Sequence, residues 1–169
     1  MRLSELNMLS PDLARDAFER CCGAGRWVDA MLGSRPFAGR AGLHAAADHA
    51  AVDLVHDDWL EAFGHHPRIG DVAALRVKFA STAAWAGAEQ EGAALAADAV
   101  LEALARGNRA YEERFGYIFI VCATGKSAAE MLAILESRLP NPPEDELLIA
   151  AAEQMKITHL RLDKLVEDD

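Results

Sequence analysis

The chain has 169 residues, a length that suits one domain with a real core. Its 27 acidic against 17 basic residues leave a formal net charge of −10, a field that repels phosphate backbones and argues against nucleic-acid binding. No apolar stretch approaches the roughly 20 residues that span a bilayer, and Met1 to Glu5 leads into no signal-peptide apolar region, so a cytoplasmic address without a membrane partner is expected.

Alanine and leucine dominate, and Gly and Pro fall between blocks whose apolar residues recur at helical spacing, which predicts an all-α, single-domain helical bundle over residues 1–169. A first helix starts with Ser10 as N-cap and Pro11 in its first position, runs through Leu13, Ala14, Phe18 and Cys21, and stops at Gly23. A short second helix follows around Trp27 to Leu32. Leu43, Ala46, Ala47, Ala50, Ala51 and Leu54 mark a third, and Trp59 to Phe63 a brief fourth that Gly64 ends.

The chain then enters Gly64-His65-His66-Pro67-Arg68-Ile69-Gly70-Asp71. Pro67 forces His66 out of the α region and two glycines bracket the segment, so a loop presents its histidines in a restrained, extended form. Downstream, a helix is predicted from about Ala88 to Ala105 with Gly107 beyond its end, then a turn or two from Asn108 to Arg114. The apolar run Tyr117 to Ala123 alone has strand character. Ser127-Ala128-Ala129-Glu130 fits a capping box opening a helix through Arg138. Pro142-Pro143-Glu144 opens a last long helix carrying Leu147, Ala151, Met155, Leu160 and Leu165.

Several constellations have competing readings. His44, His49, His56, His65 and His66 fall in one stretch with Asp48, Asp53, Asp57 and Asp58, a composition that fits a His-Asp metal phosphohydrolase. Against it, His44, His49 and His56 lack the i, i+4 spacing that sets two ligands on one helix face, and no metal is expected. Gly125-Lys126-Ser127 resembles the end of a phosphate-binding loop, yet the motif's first glycine falls on Ile120, whose branched side chain blocks close approach to phosphate. Cys21, Cys22 and Cys122 offer no C-x-x-C pair, and Cys122 sits in an apolar run with no neighbouring base, so all three read as core thiols. His66 has a ring suited to proton transfer near neutrality, but no reaction follows from the loop alone.

An ordered set of segments carries more: Arg35-Pro36-Phe37, His66-Pro67-Arg68-Ile69-Gly70, Glu89-Gln90, Asn108 with Tyr111 and Phe115-Gly116, Phe119 to Gly125, Arg138-Leu139 with Asn141 and Glu146, and Ile157-Thr158-His159-Leu160-Arg161-Leu162. In order and spacing this set resembles the 2-oxo-4-hydroxy-4-carboxy-5-ureidoimidazoline (OHCU) decarboxylase family, over nearly the whole chain. The resemblance implies an all-helical fold, a homodimer, and cofactor-free decarboxylation of a small-molecule substrate to (S)-allantoin in urate breakdown.

Carried over residue by residue, it implies His66 as catalytic acid/base, with Pro67 shaping its loop. Ala86, Gly87, Ala88, Glu89 and Gln90 become substrate contacts, with Glu89 either orienting His66 or binding ring N–H groups. The backbone of Ile120, Val121, Cys122 and Ala123 lines the pocket, and Arg138 anchors an anion or carbonyl; its alternative is an exposed arginine at a helix C-terminus. Many family members carry serine where this chain has Ala86, so a hydroxyl contact is missing or comes from elsewhere. The reading from another class is a noncatalytic helical interaction module, in which His66 is incidental.

Overall fold

The computed structural model describes residues 1–68, 72–83 and 90–166. The described secondary structure is helical: α1 (Leu3–Met8), α2 (Pro11–Glu19), α3 (Gly25–Gly33), α4 (Arg40–Val52), α5 (His56–Gly64), α6 (Val72–Ala83), α7 (Gln90–Phe115), α8 (Ala128–Arg138) and α9 (Pro143–Leu165). No described helix is long and apolar enough to cross a membrane.

Two compact units divide the chain. The first takes Met1–His66, Ile120–Cys122 and Leu147–Asp169; the second takes Pro67–Phe119 and Ala123–Glu146. Each is assembled from separated stretches, so no single cut in the sequence separates them.

In the first unit α2 begins as expected: the Ser10 side chain accepts from the Leu13 amide and Pro11 occupies the first turn. Phe18 meets Trp27 and Phe37 edge-on, each at 6.2 Å between ring centroids. The fully buried Trp27 indole donates to the Ala47 carbonyl at 3.0 Å, which ties α3 to α4. Arg35 donates to the Leu6 and Leu9 carbonyls at 3.2 and 2.9 Å, supplying partners that the end of α1 leaves open.

In the second unit the Ser127 capping box opens α8 as expected, with the Ser127 hydroxyl accepting from the Glu130 amide at 3.3 Å. Two expectations are corrected here. Gly107 lies inside α7 rather than beyond a helix end, because its missing side chain makes room for α8: a Cβ there would sit 2.5 Å from Leu135 Cδ2. The run 117–123, of which Ile120–Cys122 belong to the first unit, forms no strand; it finds no β partner among the described residues, and its Cys122 amide donates to the Glu153 carboxylate of the same first unit at 2.7 Å. Helices α1 and α6 were not anticipated.

Helix α9 begins at Pro143 as expected, yet its buried residues differ from the apolar set that the sequence suggests. Leu160 is 36% exposed, whereas Glu146, Ala150, Gln154, Thr158 and Leu162 are fully buried, at intervals of four. Three polar side chains inside a helix row need partners.

Candidate active site

The polar residues of α9 in the first unit lead to His66. Helix α5 ends at Gly64, and the His65 and His66 amides donate back to the Ala62 and Phe63 carbonyls at 3.3 and 3.2 Å. That closing turn sets His66 half-buried, with Pro67 exposed after it. Gly23 makes the turn possible, since a Cβ there would approach the His65 ring to 2.2 Å.

Gln154, Thr158 and Arg161 recur at i, i+4 and i+7, so they share one face of α9. His66 Nε2 lies 2.6 Å from Gln154 Oε1. Gln154 Nε2 donates to Thr158 Oγ1 at 3.2 Å, and that hydroxyl sits 3.0 Å from the Gln154 carbonyl and 3.4 Å from the Cys21 carbonyl. Arg161 donates through Nη1 to the same Cys21 carbonyl at 3.2 Å, and its Nη2 lies 3.5 Å from His66 Nδ1. The Cys21 carbonyl lies just past the end of α2, among the acceptors that a helix terminus leaves without intrahelical partners. A cleft of about 640 Å³ opens on this side, lined by Asp16, Glu19, Arg20, His65 and Arg161.

An imidazole and a guanidinium at 3.5 Å, both steadied by fully buried polar groups, put a ring of a type suited to proton transfer beside a fixed cation. In a chain of net charge −10, it is a local positive charge of the kind that suits an anionic group.

Arg161 is not among the site residues expected from the sequence, which point to Arg138 as the anion anchor; the surroundings of Arg138 give it other work. Arg138 belongs to the second unit and is not exposed: at 6% exposure, its Nε and Nη2 donate to the fully buried Glu146 at 2.8 and 2.5 Å. Tyr111 also donates to that carboxylate, Asn141 does so at 2.8 Å, and the guanidinium stacks 4.8 Å above Phe119. Burial first, and then the bond to Glu146, push the Tyr111 hydroxyl well above its usual range. The signal for Arg161 was present in its spacing: seven residues after Gln154 and three after Thr158.

Of the other expected contacts, Ala86, Gly87, Ala88 and Glu89 lie outside the described residues, and Gln90 is the first residue of α7. Ile120 is buried; Val121, Cys122 and Ala123 are half-buried, with the Cys122 amide committed to Glu153. Cys21 and Cys22 are buried thiols, and burial pushes Cys21 up to about 11 and Cys22 upward as well. Cys122 is half-buried rather than in the core. The histidines of the metal reading disperse. His44 stacks on His159 at 4.6 Å and bonds Asp163 at 2.9 Å, His159 bonds Asp48 at 2.7 Å, and His56 pairs with its neighbour Asp57 on the surface.

Comparison with known proteins places these features in company. Residues 7–163 match the family model described as OHCU decarboxylase. The uric acid degradation bifunctional protein TTL of Arabidopsis thaliana is 36% identical over 160 residues, or 95% of this chain, and the chain spans 49% of that protein's length. The 2-oxo-4-hydroxy-4-carboxy-5-ureidoimidazoline decarboxylase of Amia calva is 31% identical over 175 residues, covering 99% of this chain and 95% of that protein. A crystal structure of OHCU decarboxylase in the presence of (S)-allantoin aligns with a TM-score of 0.72 at 36% identity, over 90% of this chain and 99% of that one.

Proposed function

The chain belongs to the OHCU decarboxylase family, and from that premise we propose that it decarboxylates 2-oxo-4-hydroxy-4-carboxy-5-ureidoimidazoline to (S)-allantoin, using side chains alone and His66 as acid/base. The observation that carries the reading is the pairing of His66 with Arg161 over a buried Gln154–Thr158 support.

The chemistry asks for few parts. The carboxylate leaves as carbon dioxide, the electron pair of the broken C–C bond forms a C=C bond to the adjacent ring carbon, and the displaced C=N pair settles on the ring nitrogen, which takes a proton from solvent. The neighbouring hydroxyl gives up its proton as it becomes a carbonyl, and a ring carbon takes a proton on one face. One imidazole can serve both transfers. Arg161, carried on a helix rather than a loop, holds an anionic or carbonyl group of the substrate and so fixes which face meets the imidazole. We therefore assign the anion anchor to Arg161 and a stabilising role to Arg138, because the Arg138 guanidinium already serves the buried Glu146 carboxylate.

The same reading keeps Pro67 as the brace of the His66 turn. It keeps Ala86 to Gln90 and the 120–123 backbone as substrate contacts, with Ala86 offering no hydroxyl. It takes residues 1–169 as one decarboxylase domain working as a cytoplasmic homodimer, a state that light scattering of the purified protein measures directly.

The test is circular dichroism of allantoin formed from urate, with urate oxidase and hydroxyisourate hydrolase generating the labile substrate. Wild type is expected to give a rapid (S)-allantoin signal, and His66→Asn to lose at least about 100-fold in rate. Slow racemic product with both proteins refutes the reading.

A further inference from the structure

The hydrogen bonds beneath His66 specify where its proton sits. Thr158 has one hydroxyl hydrogen, and of its neighbours the Gln154 and Cys21 carbonyls can only accept, while the Cys22 sulfur is a further partner of the hydroxyl. The hydrogen therefore goes to one of these acceptors, and Thr158 Oγ1 meets the Gln154 amide as an acceptor in its turn. That turns the NH2 end of Gln154 towards Thr158 and leaves Oε1 facing His66 Nε2 at 2.6 Å, so Nε2 must carry a hydrogen. With the amide reversed, Thr158 would spend its hydrogen on Gln154 and press its lone pairs against two buried carbonyls.

A second observation agrees independently. Arg161 has donors and no acceptor, and it presents Nη2 to His66 Nδ1, so it faces a lone pair there. These two described neighbours of the ring select the same tautomer. Gln154 and Thr158 are fully buried, and neither lines the cleft.

We propose that Gln154 and Thr158 are positioning residues that keep a proton on His66 Nε2 throughout turnover, so that Nδ1, beside Arg161, is the nitrogen that exchanges protons with the substrate. This deepens the decarboxylase reading and rests on it for the reaction, though not for the tautomer. Arg161 and Nδ1 then converge on one substrate face, which links substrate anchoring to the side of protonation.

The experiment pairs long-range 1H–15N correlation spectra of the full chain, with His66 assigned through His66→Asn, with steady-state kinetics. Neutral wild-type His66 is expected as the Nε2–H tautomer. Thr158→Val keeps the shape but frees the Gln154 amide to turn over. It should mix the tautomers and lower kcat at least about tenfold with KM little changed, and Thr158→Ser should reverse both effects. Wild-type His66 with its proton on Nδ1, or a folded Thr158→Val with an unmixed tautomer and wild-type kcat, overturns the proposal. Should Thr158→Val not fold, Gln154→Glu decides. A carboxylate can only accept, so Nε2–H should persist while the added charge moves the pH profile upward, and an Nδ1–H tautomer in that variant overturns the proposal. A wild type that forms no (S)-allantoin ends the decarboxylase reading, and the spectra still decide the tautomer.

Discussion

Two arginines on helices consecutive in the sequence show how burial sorts residues of one type. Arg138 at the end of α8 and Glu146 in α9 are both withdrawn from water, so removing one partner strands the other charge. Arg138→Met is therefore expected to cost about 3–5 kcal/mol in a denaturant melt. Arg161 is half-buried, and the one carbonyl it shares with Thr158 can take a substitute donor. Arg161→Ala should leave the fold largely intact while lowering kcat/KM for (S)-allantoin formation at least about tenfold; a variant that melts early without losing activity would reverse the two assignments. His66 could be singled out as a candidate because a proline and two glycines frame it in the sequence, while its role came only with the family resemblance. Arg161 could not be, because one Leu-Arg-Leu segment in a polar helix looks like many others until Gln154 and Thr158 are seen to be buried beneath it.

At the level of elements, capping signals were reliable where a side chain supplies them. Ser10 and Ser127 both cap the helices they announce. Helix α1 carries no strong signal because it is only six residues long and its N-cap is Arg2, whose amide is held by Glu5 at 2.8 Å, outside the usual Ser, Thr, Asp or Asn pattern. Helix α6 has apolar residues on opposing sides: Leu75 is buried while Val77 is 79% exposed, so no stripe marks it. Gly107 misled in the other direction, since a glycine chosen for close packing reads as a helix stop. Gly107→Ala should accordingly destabilise by about 1–3 kcal/mol through the clash with Leu135, although alanine favours an exposed helix by about 1 kcal/mol. A thermal melt settles the sign. The run 117–123 failed as a strand prediction for a non-local reason: β-propensity describes a half-buried surface, and whether a partner strand exists is decided elsewhere in the chain.

For the molecule as a whole, the titrating groups predict different behaviour at the two ends of the pH scale. On the acid side, burial pushes the Asp163 carboxyl up, but the bonds from Arg40 and His44 outweigh it and leave it below the usual range. Its contribution is present above pH 3.8 and disappears as pH falls through that lowered value; being exposed, it is small. On the alkaline side, the unfolded thiol ionises from about pH 9.0, while burial holds the Cys21 thiol neutral up to about 11. Stability is whole below pH 9.0 and falls across that window, by about 3 kcal/mol for this thiol alone. Buried Cys22 and Tyr111 are shifted in the same direction. Urea midpoints measured from pH 8 to 11 should decline steadily, and Cys21→Ala should flatten the decline.

The Cys21 carbonyl, which Thr158 and Arg161 both use, belongs to the main chain, and that has a genetic consequence. No codon change at position 21 deletes it. In a saturation scan, Thr158 and Arg161 would stand out as intolerant while the atom that both lean on stayed silent, its loss reachable only through changes that bend the end of α2.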